Sequence, residues 1–99
     1  MKISYMLDYK SLADTAKEAL HEVSRYSIGK VEQVIEQADV DSTMRETWAK
    51  LTEGICYDRT YCRMLGVDYD ILPADDYHRI QACALLIVKK DPEFIMPLL

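Results

Sequence analysis

Apolar positions are densest at residues 80–88, Ile-Gln-Ala-Cys-Ala-Leu-Leu-Ile-Val, where eight of nine residues are apolar. No face of a helix or strand with this composition suits water, so other helices or a second copy of the chain must cover it. Burying its five largest aliphatic side chains contributes about 1.5–3 kcal/mol each. That sum rivals the net stability of a small domain, about 5–15 kcal/mol. The pattern predicts a central hydrophobic helix over about 74–90.

The flanking residues suit the two ends of this helix. Pro73 is a favourable first-turn residue, and the acids Asp75 and Asp76 follow it at the positive end of the helix dipole. Lys89 and Lys90 lie at the negative end, and the helix is expected to stop at Asp91-Pro92, because a residue before proline avoids the helical region.

The first segment has apolar residues alternately four and three positions apart, which places them on one helix face: Tyr5, Tyr9, Leu12, Ala16, Ala19, Val23 and Tyr26. The helix begins either near Ser4 or at Ser11, where Ser11-x-x-Asp14 resembles a capping box. The earlier start is preferred here. With the later start, residues 3–7 would form a short extended arm.

Gly29 interrupts this pattern, and the next apolar stripe is rotated from the first, so we expect a kink or a new short helix over 28–38. Residues 39–42 form the next break, in which Asp41 and Ser42 are good N-cap residues. A third stripe follows, with Asp58 as its only polar member: Met44, Trp48, Leu51, Ile55, Asp58, Cys62 and Leu65. It predicts a helix over 42–65, about 36 Å long if unbroken. Gly66 is expected to end it in the left-handed conformation.

Together these segments predict one all-α domain over residues 1–99, a bundle of four or five helices around the central helix. Only three Gly and three Pro occur, which disfavours a turn-rich β-sandwich. The apolar tail from Phe94 to Leu99 is expected to fold back over the bundle. Its alternative role is to complete a homodimer, the oligomeric state that we expect.

Seventeen acids against twelve bases leave a net charge of −5, which opposes non-specific nucleic-acid binding and favours basic partners, or simply solubility. Residues 1–10 lack the apolar core of a signal peptide, and the longest apolar run, 82–88, is too short to span a bilayer. Cys56, Cys62 and Cys83 lack CxxC spacing and are expected to be free thiols. We therefore expect a cytoplasmic protein with no membrane contact.

Metal and catalytic motifs are incomplete. His21-Glu22 begins like a zinc-protease motif, but position 25 is Arg instead of the second histidine. The two Asp-x-Asp pairs, beginning at residues 39 and 68, lack the glycine and final glutamate of a calcium loop. His78 is expected to be a polar residue at the edge of the core. The sequence thus predicts no metal, no cofactor and no enzymatic activity.

Two groups of residues are candidates for partner binding. Four acids with no intervening base would attract a basic surface, and two tyrosines four residues apart are interface-type side chains expected to lie off the core face. These residues are Asp68, Asp70, Asp75 and Asp76, with Tyr57 and Tyr61 as possible anchors.

The leading hypothesis is a small acidic interaction protein, a regulator or inhibitor that binds a larger basic protein stoichiometrically. Nucleic-acid-handling machinery is one such partner, which makes a phage or mobile-element inhibitor of a host nuclease or defence complex a concrete version. One alternative is a self-assembling structural subunit acting through 80–88 and the tail. Another is a helix-turn-helix DNA-binding regulator over 34–48, disfavoured because its second helix has balanced charge.

Overall fold

The computed structural model describes residues 12–96, which form five helices and no strand. The helices are α1 (Asp14–Val23), α2 (Ile28–Glu36), α3 (Ser42–Cys56), α4 (Arg59–Leu65) and α5 (Ala74–Lys90). The predicted all-α bundle is confirmed.

The central position of α5 is also confirmed, because α1, α2 and α3 all pack against it. Its side chains at 80, 82–85, 87 and 88 are almost fully buried, and Leu86 is half-buried. The predicted bounds, 74–90, match those of the structure, and only the expected place of Pro73 in the first turn is wrong. Pro73 has extended dihedral angles and occupies the N-cap position, so it precedes the helix instead of lying in the first turn.

The preferred early start of the first helix is wrong for the described part of the chain. Helix α1 begins at Asp14, and Ala13 before it is extended and makes no side-chain cap. Leu12, which precedes the helix, has its side chain buried in the core. The predicted cap residue Ser11 and the suggested start at Ser4 lie outside the described residues.

Helix α2 is separate from α1, so of the two alternatives predicted near Gly29, a kink or a new short helix, the new helix is observed. Ser27 caps it, with its hydroxyl accepting a hydrogen bond from the Lys30 N–H at 3.1 Å. It ends at Glu36, two residues before the predicted bound. Asp41 then caps α3 as predicted, since its carboxylate accepts from the Met44 N–H at 2.8 Å.

The prediction of one unbroken helix over 42–65 is wrong, because the helix is interrupted at residues 57 and 58. Asp58, the only polar member of the stripe, is the N-cap of α4, and its carboxylate accepts from the Thr60 and Tyr61 N–H groups at 2.9 and 3.0 Å. The predicted stop is confirmed: Gly66 has φ 76°, and the Val67 N–H returns to the Cys62 carbonyl at 3.0 Å.

The tail folds back as far as the structure describes it. Phe94 is half-buried and packs on the core, while Ile95 is exposed. The Met96 sulfur lies only 3.0 Å from where a Cβ on Gly54 would be, so the tail packs against α3 at a position where the lack of a side chain leaves room for it. Residues 97–99 lie outside the described range, and the homodimer stays a prediction.

Candidate partner-binding surface

Of the four candidate aspartates, Asp68 and Asp70 lie in the turn between α4 and α5, called the acidic turn here, and Asp75 and Asp76 lie in the first turn of α5. Two of the four stabilise the acidic turn. The Asp68 carboxylate accepts from the N–H groups of Asp70 and Ile71 at 3.1 and 3.2 Å. The Asp76 carboxylate accepts from the Asp68 N–H at 2.9 Å, which ties the turn to the first turn of α5. These two side chains are therefore engaged within the fold.

Asp70 and Asp75 are exposed. Neither side chain has a hydrogen bond or ion pair to another of residues 12–96. Asp68 is exposed as well, but its carboxylate is used by the turn, so Asp70 and Asp75 are the two exposed candidate carboxylates that the fold leaves free for a partner.

The two candidate tyrosines lie in opposite environments. Tyr57 is 77% exposed, as expected, but Tyr61 is 0% exposed, so its expected position off the core face is wrong. The break at Asp58 starts a new helix, and the four-residue spacing no longer places both tyrosines on one face. Helix α4 turns Tyr61 inward with Cys62 and Leu65.

The Tyr61 hydroxyl is buried and has no hydrogen-bond partner among residues 12–96. Burial, with the nearby Asp58 carboxylate and Cys83 thiol, raises the pKa of this phenol. Tyr61 therefore belongs to the core and is not available as a surface anchor.

Tyr57 instead shares a hollow with residues that the sequence did not single out. The hollow has a volume of about 600 Å³, and Tyr69 and Leu72 from the acidic turn line it together with Tyr77 of α5 and Glu53 of α3. The turn that carries Asp70, next to the start of α5 that carries Asp75, thus lies on the same side of the molecule as Tyr57.

The turn has an unusual backbone at Leu72, whose φ of 48° lies in the left-handed region that larger side chains rarely adopt. Its N–H is held by the Asp68 carbonyl at 2.7 Å. The neighbouring Tyr69 ring lies under the Arg59 guanidinium, 4.5 Å from its centroid. These contacts hold both hollow-lining residues in place.

A second hollow of about 370 Å³ continues along the same seam. It shares Ala49 and Tyr77 with the first and reaches Trp48 and Gln81. The Trp48 indole N–H donates to the Gln81 carbonyl at 2.8 Å, and this hydrogen bond links α3 to α5 beside the second hollow. We call the two hollows together the α3–α5 groove.

Sequence reasoning missed Tyr69 and Tyr77 because neither shares a helical face with Tyr57. Their proximity depends on how α3, α5 and the turn pack together. One available signal was that both tyrosines lie within or beside the acidic stretch, where a purely solvated turn has no need of aromatic side chains.

The thiols of Cys56, Cys62 and Cys83 are free, as predicted. Burial raises the pKa of all three, to about 11 for Cys62 and about 12 for Cys83. They are therefore protonated near neutral pH and are poor nucleophiles. Within the described residues, no group of three or more His, Cys, Asp or Glu side chains is arranged to hold a metal ion.

The two histidines lie apart. His21 is exposed, with its Nε2 3.4 Å from the Arg25 guanidinium. His78 is half-buried at the edge of the core, as expected, and its Nδ1 has no hydrogen-bond partner among residues 12–96.

Compared with protein-family models, curated proteins and solved structures, the chain matches none. Across residues 12–96, no helix has the length and apolar character needed to cross a membrane.

Proposed function

We propose that this protein is a small acidic interaction protein that binds the basic surface of a larger protein stoichiometrically and performs no catalysis. The observation that supports it is the placement of the exposed Asp70 and Asp75 in and beside a turn whose Tyr69 lines a groove with Tyr57. Carboxylates and accessible tyrosines on one side of the molecule form a self-consistent contact surface.

The two kinds of residue contribute differently to binding. Exposed carboxylates accelerate encounter with a basic partner and set its orientation, while adding modest affinity. Tyrosine side chains at the centre of an interface supply most of the binding energy. The net charge of −5 adds a long-range attraction toward a basic partner. Nucleic-acid-handling machinery, as in a phage or mobile-element inhibitor of host defence, is the partner class with the most suitable charge.

The test is a charge reversal restricted to the accessible carboxylates, since changing Asp68 or Asp76 would also break the turn. The double variant Asp70→Lys/Asp75→Lys adds two charges per site and changes the net charge from −5 to −1. The control Asp39→Lys/Glu46→Lys makes the same change at two exposed positions outside the groove.

Each variant is immobilised and used to capture proteins from cells that express this chain, and the captured basic protein is then titrated. The turn variant should lose at least about tenfold in affinity, equivalent to about 1.4 kcal/mol, while the control retains binding and both keep their helicity. An equal loss of affinity in both variants would mean that net charge, and not this surface, determines binding. If no captured basic protein binds the chain with a saturable, fixed stoichiometry, the proposal is refuted.

The self-assembling alternative draws on different residues. Ile71 and Ile95 are 75% and 85% exposed, so apolar side chains are present for self-contact. The segment 80–88, in contrast, is covered within one copy of the chain. Sedimentation at several concentrations tests this alternative, because a strict monomer excludes it.

The helix-turn-helix alternative also stays a prediction. Helices α2 and α3 both pack on α5 and make few contacts with each other, which gives this pair little rigidity of its own. A gel shift at low salt with no complex would remove this alternative.

A further inference from the structure

We infer that the α3–α5 groove binds an amphipathic helix of the partner, with its apolar face in the groove and lysines or arginines flanking that face at both ends of the helix. This inference rests on the proposed function and specifies the partner chemistry that the same surface would take.

The groove has the direction and length of a short helix. Its α3 wall is formed by residues 45, 48, 49, 52, 53 and 56, and positions 45, 49, 52 and 56 among them are spaced four, three and four apart and therefore lie in a line along the helix. At 1.5 Å per residue this line is about 16 Å long, or about three helical turns. A helix of that length presents anchors at i, i+4 and i+7, the spacing used in helix-in-groove recognition.

The groove combines apolar surface with side-chain polar groups. The Trp48 indole N–H is already used by the Gln81 carbonyl, so its ring faces the groove without a free donor. Tyr77 and Leu72 supply further apolar surface. An extended peptide would need partners for its backbone groups, and residues 12–96 contain no strand edge to provide them. A helix satisfies its own backbone, so it is the segment that fits.

The charges around the groove select a basic helix. Glu53 lies at the end next to the acidic turn, and Glu32 and Glu36 line a third hollow that adjoins the opposite end through Ile35 and Gln81. Among residues 12–96, Arg45 is the one lysine or arginine that lines the three hollows, and its guanidinium lies over the Trp48 ring, 5.8 Å from the centroid. Acids at both ends complement basic flanks on the bound helix.

Ala49 is the position at which the groove can be closed without disturbing the core. It is exposed, and both hollows share it, so its small side chain leaves the passage between them open. Ala49→Trp should fill this passage. Thr43→Trp is the matched control, because Thr43 is exposed on the same helix and does not line the groove. Tyr77→Ala removes groove surface instead of adding bulk and serves as a second variant.

The probe is a synthetic helical peptide of about three to four turns, with leucines at i, i+4 and i+7 and lysines on both flanks. A scrambled peptide of the same composition and a glutamate-flanked peptide serve as references. Affinity is measured by fluorescence anisotropy, and the contact is located by amide chemical shifts along α3. The lysine-flanked helix should bind at least about tenfold more tightly than either reference. Ala49→Trp and Tyr77→Ala should each weaken it by a similar factor, and Thr43→Trp should not.

The outcomes separate this inference from the proposed function. The lysine-flanked peptide and its scrambled version carry the same lysines. If Asp70→Lys/Asp75→Lys weakens the binding of both equally and Ala49→Trp changes the affinity of neither, the groove inference is overturned and charge-directed binding stands. If the lysine-flanked helix does not bind at all, the groove inference is also overturned, whereas the capture experiment still decides the proposed function.

Discussion

Arg79 of α5 joins the central helix to the end of α1, and its removal is the sharpest test of how the bundle is held together. One nitrogen of its guanidinium, Nη1, donates to the carbonyls of Val23 and Tyr26 at 2.8 and 2.7 Å. Val23 is the last residue of α1, and its carbonyl also accepts from the Tyr26 N–H at 3.1 Å, so Arg79 adds a second donor there and supplies a donor to the Tyr26 carbonyl just beyond the helix. Arg79→Met keeps much of the aliphatic stem and removes both hydrogen bonds.

The expected cost follows from these two contacts. A hydrogen bond from a charged group contributes about 1.5–3 kcal/mol, so two contribute about 3–6 kcal/mol. Arg79 is only half-buried, and water can reach the vacated carbonyls in part, which favours the lower end. We expect a loss of about 2–4 kcal/mol in the free energy of unfolding, which for a domain of this size lowers Tm by about 10 °C or more.

Urea unfolding followed by far-UV circular dichroism measures this loss, and hydrogen exchange locates it. Amides near the end of α1 should lose protection first. Arg63→Met is the control, because Arg63 is exposed and its side chain makes no hydrogen bond or ion pair to another of residues 12–96. It should cost under about 1 kcal/mol, the most that a cation near a helix end usually contributes. A loss below about 1 kcal/mol for Arg79→Met would refute the reasoning.

Three further changes test other parts of the fold. Tyr61→Phe removes a buried hydroxyl with no partner among residues 12–96, so it should raise the unfolding free energy by about 1 kcal/mol, while Tyr57→Phe is neutral; a lower Tm for Tyr61→Phe would mean that the hydroxyl is paired. Asp58→Ala removes the α4 cap and should cost about 1 kcal/mol, with faster amide exchange in α4, compared with a negligible effect of Asp39→Ala at an exposed position. Burial raises the pKa of Cys83 from 9.0 to about 12, so the unfolded chain releases this proton first and stability should fall as the pH rises above 9. Cys83→Ala should make that fall shallower, and an unchanged pH profile would contradict the assignment.

The features that were predicted correctly are those decided within a few residues of chain. The apolar segment 80–88 requires burial in any arrangement, and its flanking charges and Pro92 mark its ends. Asp41 and Gly66 act through hydrogen bonds to neighbours three to five residues away. Such contacts recur wherever the local sequence recurs, and so a reading of the chain alone finds them.

The break at residues 57 and 58 was missed because local preferences there are nearly balanced. Asp58 fits an apolar stripe with one polar exception, and it equally fits a helix cap. Packing decides the matter: α4 contacts α1, α3 and α5 from its own direction, and it buries Tyr61, Cys62 and Leu65. A straight continuation of α3 could not place all three side chains in the core.

The sequence by itself determined that this chain is a helical bundle built around α5, because burying one long apolar segment outweighs any local preference. It also determined that the exterior is acidic. Only the tertiary structure decided that Tyr61 is core, that Asp68 and Asp76 are occupied by the turn, and that Tyr57, Tyr69 and Tyr77 meet in one groove. Those outcomes depend on the relative placement of elements distant in sequence, and small differences in packing energy set that placement.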